Sequence, residues 1–163
     1  MKGIIVYAFA WRKRGHSPCN ERLATAALRI ASSLQEPVTI VAQRTVASVL
    51  SELHSSCHVI EKRSGYEGSE EVTEQADVIF RRLGITEVIP VAQPVLQLIK
   101  CQRLVRSAGY TTPSFWDLTQ MIGWIGFDPL SVQPQTRSIG HLAYYTVKQI
   151  LTGYRPPVEQ SEP

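Results

Sequence analysis

Short apolar runs alternate with amphipathic stretches along most of the chain. Continuous apolar runs of roughly four to eight residues are typical of strands that are buried on both faces of a parallel sheet. Apolar residues spaced three and four positions apart are typical of helices that cover such a sheet. The pattern predicts strands at residues 4–9, 38–42, 58–61 and 88–92, with a short fifth at 110–114.

Amphipathic stretches between and after these runs predict helices. Asn20 is the predicted N-cap of the first helix, Ser69 begins the third, and Ser138 begins the last. Strands alternating with helices predict an α/β fold: a three-layer, Rossmann-like, doubly wound and mostly parallel sheet of about five strands, with helices on both faces. We expect one domain over residues 1–153 and a disordered tail over 154–163, which is rich in proline and glutamate.

Composition narrows the choice of compartment and partner. The 17 Lys and Arg residues against 14 Asp and Glu give a net charge of +3, spread over several segments, which argues against nucleic acid as the partner. One dense basic cluster, residues 12–14, leaves nucleic-acid binding as a weaker alternative. Three cysteines without a C-x-x-C pair indicate reduced thiols. No apolar run reaches the roughly 18 residues of a membrane span, and the basic residues follow the first run, unlike in a signal peptide. These features together predict a cytoplasmic protein.

Ligands of open α/β sheets bind beyond the carboxyl ends of the strands, where the strand order reverses. This rule selects the residues that directly follow the predicted strands, and it needs no sequence motif. Helix N-termini and arginines favour anions, so we expect a phosphate, carboxylate or nucleotide there, with Asn20 presenting its helix amides. A solvated basic loop is the plain alternative. The expected anion contacts are Arg12, His16 and Arg44, and the residues expected to orient the ligand are Glu71 and Gln93.

Glu71 is the candidate general base if the chain is an enzyme, because it begins a helix near the predicted ligand edge. Its neighbours Glu67, Glu70 and Glu74 are equally eligible, and an acid that merely stabilises its helix end is the plain alternative. The sequence leaves open whether any reaction is catalysed.

Other chemistry finds little support in the residue spacing. The four histidines do not form a metal-ligand pattern, since His54 and His58 would not share a helix face. The G-x-S-x-G motif of serine hydrolases is absent. Ser138 is expected to cap its helix, although it could also close over the ligand edge with Arg137 and His141. An aromatic-rich group can be interpreted either as an exposed partner surface or as a core cluster, and we expect the core cluster. Its members are Trp116, Met121, Trp124 and Phe127.

Five segments together resemble a known family. They read NERLATA at 20–26, EVTEQA at 71–76, RLGITEVIPV at 82–91, QLIKCQR at 97–103 and SAGY at 107–110. Over residues 3–152 this layout resembles the YdcF-like bacterial proteins, a family of undefined activity that includes the SanA and ElyC envelope proteins. The resemblance implies a Rossmann-like binder of S-adenosylmethionine or a nucleotide. It also implies ligand-site positions at Arg22, Glu71, Gln97 and Lys100.

The chain departs from the family pattern where a ligand would be bound. Residues 8–11, Ala-Phe-Ala-Trp, replace a glycine-rich loop, which adds Cβ atoms where a backbone would approach a phosphate. Gln97 stands in place of a histidine, so the obvious proton-transfer group is missing. Two hypotheses follow. The chain binds a small anionic or nucleotide-like ligand at the carboxyl edge, or it is a degenerate, non-catalytic module that binds a protein partner and forms a homodimer.

Overall fold

The computed structural model of the protein describes residues 1–53, 57–61, 68–94 and 96–152. His54, Glu67 and the predicted tail at 154–163 lie outside the described residues. The strands are β1 (Lys2–Val6), β2 (Val38–Gln43), β3 (His58–Ile60) and β4 (Glu87–Val91). The helices are α1 (Pro18–Ser33), α2 (Arg44–Glu52), α3 (Ser69–Arg82), α4 (Leu96–Ser107), α5 (Phe115–Ile122) and α6 (Ile139–Thr152), with a 3₁₀ turn at Pro134–Thr136.

The four strands form one parallel sheet in the order β3-β2-β1-β4, which confirms the predicted α/β class. The central strand β1 pairs with β2 on one side and with β4 on the other, so that Ile4 lies between Ile40 and Ile89. Helix α1 packs against α2 and α5, while α3 packs against α4. The apolar side chains of β1 are fully buried between these layers, as expected for a strand covered on both faces.

The prediction of a fifth strand at residues 110–114 is wrong. Thr111 makes a single parallel bridge with Glu87, held by a bond from the Val88 amide to the Thr111 carbonyl (2.9 Å). Pro113 has no amide hydrogen to continue the ladder, and Ser114 already caps α5. The segment therefore borders the sheet without becoming a strand of it.

The first helix begins earlier than predicted, and Ser17 rather than Asn20 is its N-cap. The Ser17 hydroxyl accepts a hydrogen bond from the Cys19 amide (3.3 Å), and its carbonyl accepts one from the Asn20 amide (2.9 Å). Pro18 fills the first helical position, where its missing amide hydrogen costs nothing. Because the Asn20 amide is already bonded, it is not available to an anion in this conformation.

The prediction of a core cluster is wrong for two of its four members, which are Trp116, Met121, Trp124 and Phe127. Met121 and Phe127 pack against the core, but Trp116 and Trp124 are 72% and 73% exposed. Leu118 and Ile122 form the buried stripe of the short helix α5, and Trp116 is off that stripe.

Helix α6 also leaves much apolar surface exposed. Leu142 is buried, whereas Ile150 and Leu151 near its end are more than three-quarters exposed. No helix in the described part of the chain is long and apolar enough to cross a membrane.

Candidate functional site at the carboxyl edge

The strand order places a topological switch point at the carboxyl ends of β1 and β4. From β1 the chain crosses to β2 on one side, and after β3 it returns through α3 to β4 on the other side. The paired residues of the two strands end at Val6–Val91, and the Tyr7 amide then donates to the Val91 carbonyl (2.9 Å). The carboxyl edge at such a switch point is the usual ligand position in doubly wound sheets.

Two glutamine side chains fix the backbone of Ala8 at the start of the first loop. The Ala8 amide donates to Gln43 Oε1 (2.9 Å), and its carbonyl accepts a bond from Gln97 Nε2 (2.7 Å). Gln97 Oε1 also accepts a bond from the Gln93 amide (3.0 Å). Gln97, predicted as a ligand contact, thus ties the loop after β1 to the loop after β4.

Asn20 holds the next two residues of the same loop. Its Oδ1 accepts a bond from the Phe9 amide (3.1 Å), and its Nδ2 donates to the Ala10 carbonyl (2.6 Å). Asn20 is buried, so both of its polar atoms depend on these protein partners. The side chain predicted as a ligand contact is therefore occupied in shaping the loop.

Gln93 differs from these amides because its side chain pairs with nothing. It is 0% exposed, and neither Nε2 nor Oε1 has a hydrogen-bond partner. Among the buried polar side-chain atoms of the described residues, four residues have an unpaired atom, and of these only Gln93 has two. An unpaired buried polar group costs about 1–3 kcal/mol, so both ends of this amide call for partners.

The guanidinium of Arg12, the predicted anion contact, is already bound to a carboxylate of the chain itself. Arg12 Nε and Nη2 donate to the two oxygens of Asp128 at 2.8 Å and 2.7 Å. The Asp128 side chain is 0% exposed and also accepts a bond from the Leu130 amide (3.1 Å). The hydrogen bonds from Arg12 hold the pKa of Asp128 below its usual value. An external anion at Arg12 would have to displace Asp128.

Three further predicted contacts have carboxylate partners at the surface. His16 Nε2 contacts Glu52 (2.8 Å), Arg44 contacts Glu61 (2.5 Å), and Lys100 contacts Glu70 (2.8 Å). Each of these three side chains is on a different element, in the first loop, at the start of α2 and in α4. None of these contacts joins the side chain to Gln93.

Arg22 and Glu71 also have partners within the chain. Arg22 Nη1 donates to the Ile125 carbonyl (2.8 Å), which ties α1 to the segment after α5. Glu71, the candidate base, is partly buried and accepts a long bond from Gln75 one turn along α3 (3.4 Å). The contacts of Glu71 thus lie within its own helix and do not link it to Gln93.

The buried hydroxyl and thiol groups near this edge are not activated. The Tyr7 hydroxyl bonds to Thr73 Oγ1 (2.9 Å), and burial raises the pKa of Tyr7 well above its usual value. Burial likewise raises the pKa of Cys101 to about 12. Both groups are protonated near neutral pH, which fits a packing role better than a nucleophilic one.

Sequence reasoning missed Asp128, which is not among the expected site residues. Asp128 lies 116 positions from Arg12, and no local spacing links two residues so far apart. The available signal was a single acid within a segment otherwise free of acids, between Asp117 and Glu159. Gln43, which bonds to the Ala8 amide, is likewise not among the expected site residues.

Ser138 performs the capping role that was preferred for it. Its hydroxyl accepts a bond from the His141 amide (3.2 Å), and its carbonyl accepts one from the Leu142 amide (2.9 Å). The same hydroxyl also contacts His141 Nδ1 (2.8 Å). The pair lines an open groove of about 500 Å³ along α6 together with Gly140, Tyr144 and Tyr145.

The polar groups bonded next to Gln93 are therefore uncharged amides. Gln93 can offer one donor and one acceptor side by side, and its fixed neighbours Gln97 and Ala8 carry no charge.

Comparison with known proteins found no family model that matches this chain and no curated protein with significant similarity.

Proposed function

We propose that this chain binds a small adenine-bearing ligand at the carboxyl ends of β1 and β4, with Gln93 as the residue that reads the base. The observation that carries the proposal is the buried Gln93 amide with both polar atoms unpaired at the switch point of the sheet. A glutamine amide pairs bidentately with adenine, accepting from N6 and donating to N7. S-adenosylmethionine and adenine nucleotides both belong to this ligand class.

The surroundings of Gln93 favour the base of such a ligand over a phosphate. A phosphate site needs free backbone amides and close approach of the backbone, usually through glycine. The amides of Ala8 and Phe9 are bonded to side chains, and the Arg12 guanidinium is bonded to Asp128. We therefore propose a ligand recognised through its neutral part, and we propose binding without turnover, since the candidate base Glu71 shares no hydrogen bond with Gln93.

The proposal extends to family and compartment. The segments quoted above support membership of the YdcF-like family, with the loop after β1 and the segment after β4 as its points of departure. Three free cysteines, of which Cys19 and Cys101 are buried, support a location in the cytoplasm.

A thermal-shift series with adenosine, adenosine monophosphate, S-adenosylmethionine and inorganic phosphate tests the proposal. Ligands that bind only the folded state raise its melting temperature. Adenosine should stabilise the wild type, and Gln93→Leu should abolish this shift. Gln120→Leu, which changes an exposed glutamine of α5, is the matched control and should keep it. Phosphate alone should have no effect. An equal adenosine shift in Gln93→Leu, or no shift with any adenine compound, would contradict the proposal.

A second candidate function, a non-catalytic interaction module, is favoured by the exposed apolar face of α6. Ile139, Val147, Ile150 and Leu151 are each more than half exposed, and a contiguous apolar patch is typical of an interaction site. Lys148 is the only Lys, Arg, Asp or Glu in this helix. Two copies of so weakly charged a helix can meet without strong repulsion, so the occupant proposed is a second copy of the chain.

Light scattering over a range of protein concentrations tests this second candidate. The wild type should show a concentration-dependent dimer, and Ile150→Glu should shift it to the monomer. Val78→Glu, at an exposed apolar position of α3, is the control and should leave the dimer intact. A wild type that stays monomeric at every concentration would contradict self-association.

A further inference from the structure

We infer that Gln97 is a positioning residue of the proposed adenine site, which acts on the ligand through the backbone of Gln93. The inference rests on the proposed function and adds a second residue to the same site. The Gln97 side chain bonds to both loops at the switch point: Nε2 donates to the Ala8 carbonyl (2.7 Å), and Oε1 accepts from the Gln93 amide (3.0 Å). Both of its polar atoms thus have protein partners, which leaves Gln93 to bind the ligand.

The backbone of Gln93 is held on both sides of its Cα atom. Its amide donates to Gln97 Oε1, and its carbonyl accepts a bond from the Leu98 amide (3.1 Å). Pro94 follows directly, and the residue before a proline is restricted in its backbone angles. The Gln93 side chain has no hydrogen bond of its own. Its position therefore depends on packing and on this backbone, and Gln97 supplies one of the two bonds that hold the backbone.

Gln97 also fixes the loop after β1 relative to the loop after β4. The Ala8 carbonyl accepts from Gln97, and the Ala8 amide donates to Gln43 Oε1 at the end of β2 (2.9 Å). One chain of hydrogen bonds therefore runs from Gln43 to Gln93 across the carboxyl ends of three neighbouring strands. A ligand at this edge would meet groups that are already in place, and such preorganisation raises affinity because less has to be ordered on binding.

A purely structural role as a helix cap is the alternative for Gln97. It is the second residue of α4, and a glutamine in the first turn of a helix can bond back to the amide that precedes the helix. A cap of this kind would stabilise the start of α4 and leave ligand affinity unchanged. The bond to Ala8, which lies 89 positions away, is not part of such a cap and favours the positioning role.

Calorimetric titration of the full chain with adenosine, below the melting temperature of every variant, tests the inference. Gln97→Met keeps a side chain of similar length but removes both bonds, so we expect about tenfold weaker binding than in the wild type. Gln102→Met is the matched control, because Gln102 is a buried glutamine of the same helix whose Nε2 donates to the Pro113 carbonyl (2.7 Å). It should lose stability and yet bind adenosine as the wild type does.

Gln97→Glu gives a second readout, which a helix cap would not produce. A carboxylate still accepts from the Gln93 amide but cannot donate to the Ala8 carbonyl, whereas a protonated carboxyl group does both. Adenosine binding by Gln97→Glu should therefore be weak at about pH 7 and approach wild-type binding towards about pH 5, since the Ala8 carbonyl favours the protonated form. The nearby Lys100–Glu70 pair is present in both proteins, so the ratio of their affinities reports the new carboxyl group. This variant keeps one of the two bonds and also serves if Gln97→Met does not fold.

Three results would overturn the inference while the proposed function stands. They are wild-type affinity in Gln97→Met, an equal loss of affinity in Gln102→Met, and a ratio of Gln97→Glu to wild-type affinity that does not change with pH. A wild type that binds no adenosine would overturn the proposed function, and the positioning role with it.

Discussion

The two edges of the sheet satisfy their polar groups in different ways. At the amino edge, Lys2 pairs with Glu36 (3.7 Å) and Glu87 (3.0 Å), and all three side chains remain in contact with water. At the carboxyl edge, the side chains of Asn20 and Gln97 are bonded to the backbone of the first loop, and Gln93 is buried without a partner.

That difference indicates which edge carries the function. Exposed ion pairs contribute about 0–1 kcal/mol, because water solvates either partner when the pair breaks. Buried polar groups have no such alternative, and each unpaired one costs about 1–3 kcal/mol. A buried amide left unpaired is therefore expected only where something outside the chain can bind it. The predictions below test this contrast between the edges, beginning with the largest expected effect.

Removing the carboxylate of Asp128 should have the largest effect on stability. Asp128→Ala leaves the Arg12 guanidinium and the Leu130 amide without their hydrogen-bond acceptor. We expect a loss of about 3 kcal/mol in the free energy of unfolding. Urea denaturation measures it. Glu61→Ala, which removes the exposed partner of Arg44, is the matched control and should change stability by less than about 1 kcal/mol. Similar losses in both variants would show that burial does not separate the two pairs.

Asn20→Ala should have the next largest effect, a loss of about 2 kcal/mol in the free energy of unfolding. The change leaves the Phe9 amide and the Ala10 carbonyl unpaired at the carboxyl edge. Urea denaturation again provides the measurement, and Gln35→Ala, at an exposed position after α1, is the control. A loss no larger than that of the control would mean that water readily replaces Asn20.

Acid should lower the free energy of unfolding by protonating Asp128. We expect this loss to be smaller than the loss caused by Asp128→Ala. The pKa of Asp128 is lowered in the folded chain, so its charge stabilises the fold above the ordinary pKa of about 4. That contribution is lost as the pH falls through the lower, folded-state pKa. The urea midpoint of the wild type should fall more steeply in this range than that of Asp128→Asn. Parallel pH profiles would contradict the assignment.

Gln93→Leu should have the opposite sign to the other carboxyl-edge changes. Replacing an unpaired buried amide with an apolar side chain of similar size removes a desolvation penalty, so we expect a gain of about 1 kcal/mol in the absence of ligand. Thermal unfolding measures the gain, and Gln97→Leu, which breaks two bonds, should lose stability instead. A destabilised Gln93→Leu would mean that its amide is already satisfied.

The smallest effect is expected at the amino edge. Lys2→Met removes two ion pairs that are exposed to water and should lower the free energy of unfolding by at most about 0.5 kcal/mol. The urea midpoint at low and high salt measures it. A loss comparable to that of Asn20→Ala would remove the contrast between the edges.

Much of the fold could be predicted because buried parallel strands and their covering helices carry strong local patterns. The strand at 38–42 and the helix beginning at Ser69 are found where predicted, within a residue or two. The segment at 110–114 was not distinguished from a strand, because its apolar start resembles one and only Pro113 argues against the ladder. The exposure of Trp116 could not be predicted, since periodicity indicates a face but not what covers it.

The site was predictable in position more than in role. The strand-end rule selected Asn20 and Gln93, and the family resemblance added Gln97. All three lie at the carboxyl edge. Their roles depend on partners distant in sequence: Gln97 bonds to Ala8, 89 positions away, and Arg12 bonds to Asp128. Such pairs cannot be recognised within any single segment. The basic side chain of Arg12 therefore suggested a site for an external anion, whereas in the fold its partner is the carboxylate of Asp128.

Nuclear magnetic resonance of the glutamine side-chain amides tests the central claim most directly, since it observes Gln93 itself. Adding adenosine should move the Gln93 Nε2 proton signals downfield in a saturable way, as this amide gains its first hydrogen-bond partner, while the signals of Gln120 stay in place. Gln93 signals that remain unchanged at saturating adenosine would contradict the assignment of this residue as the reader of the ligand.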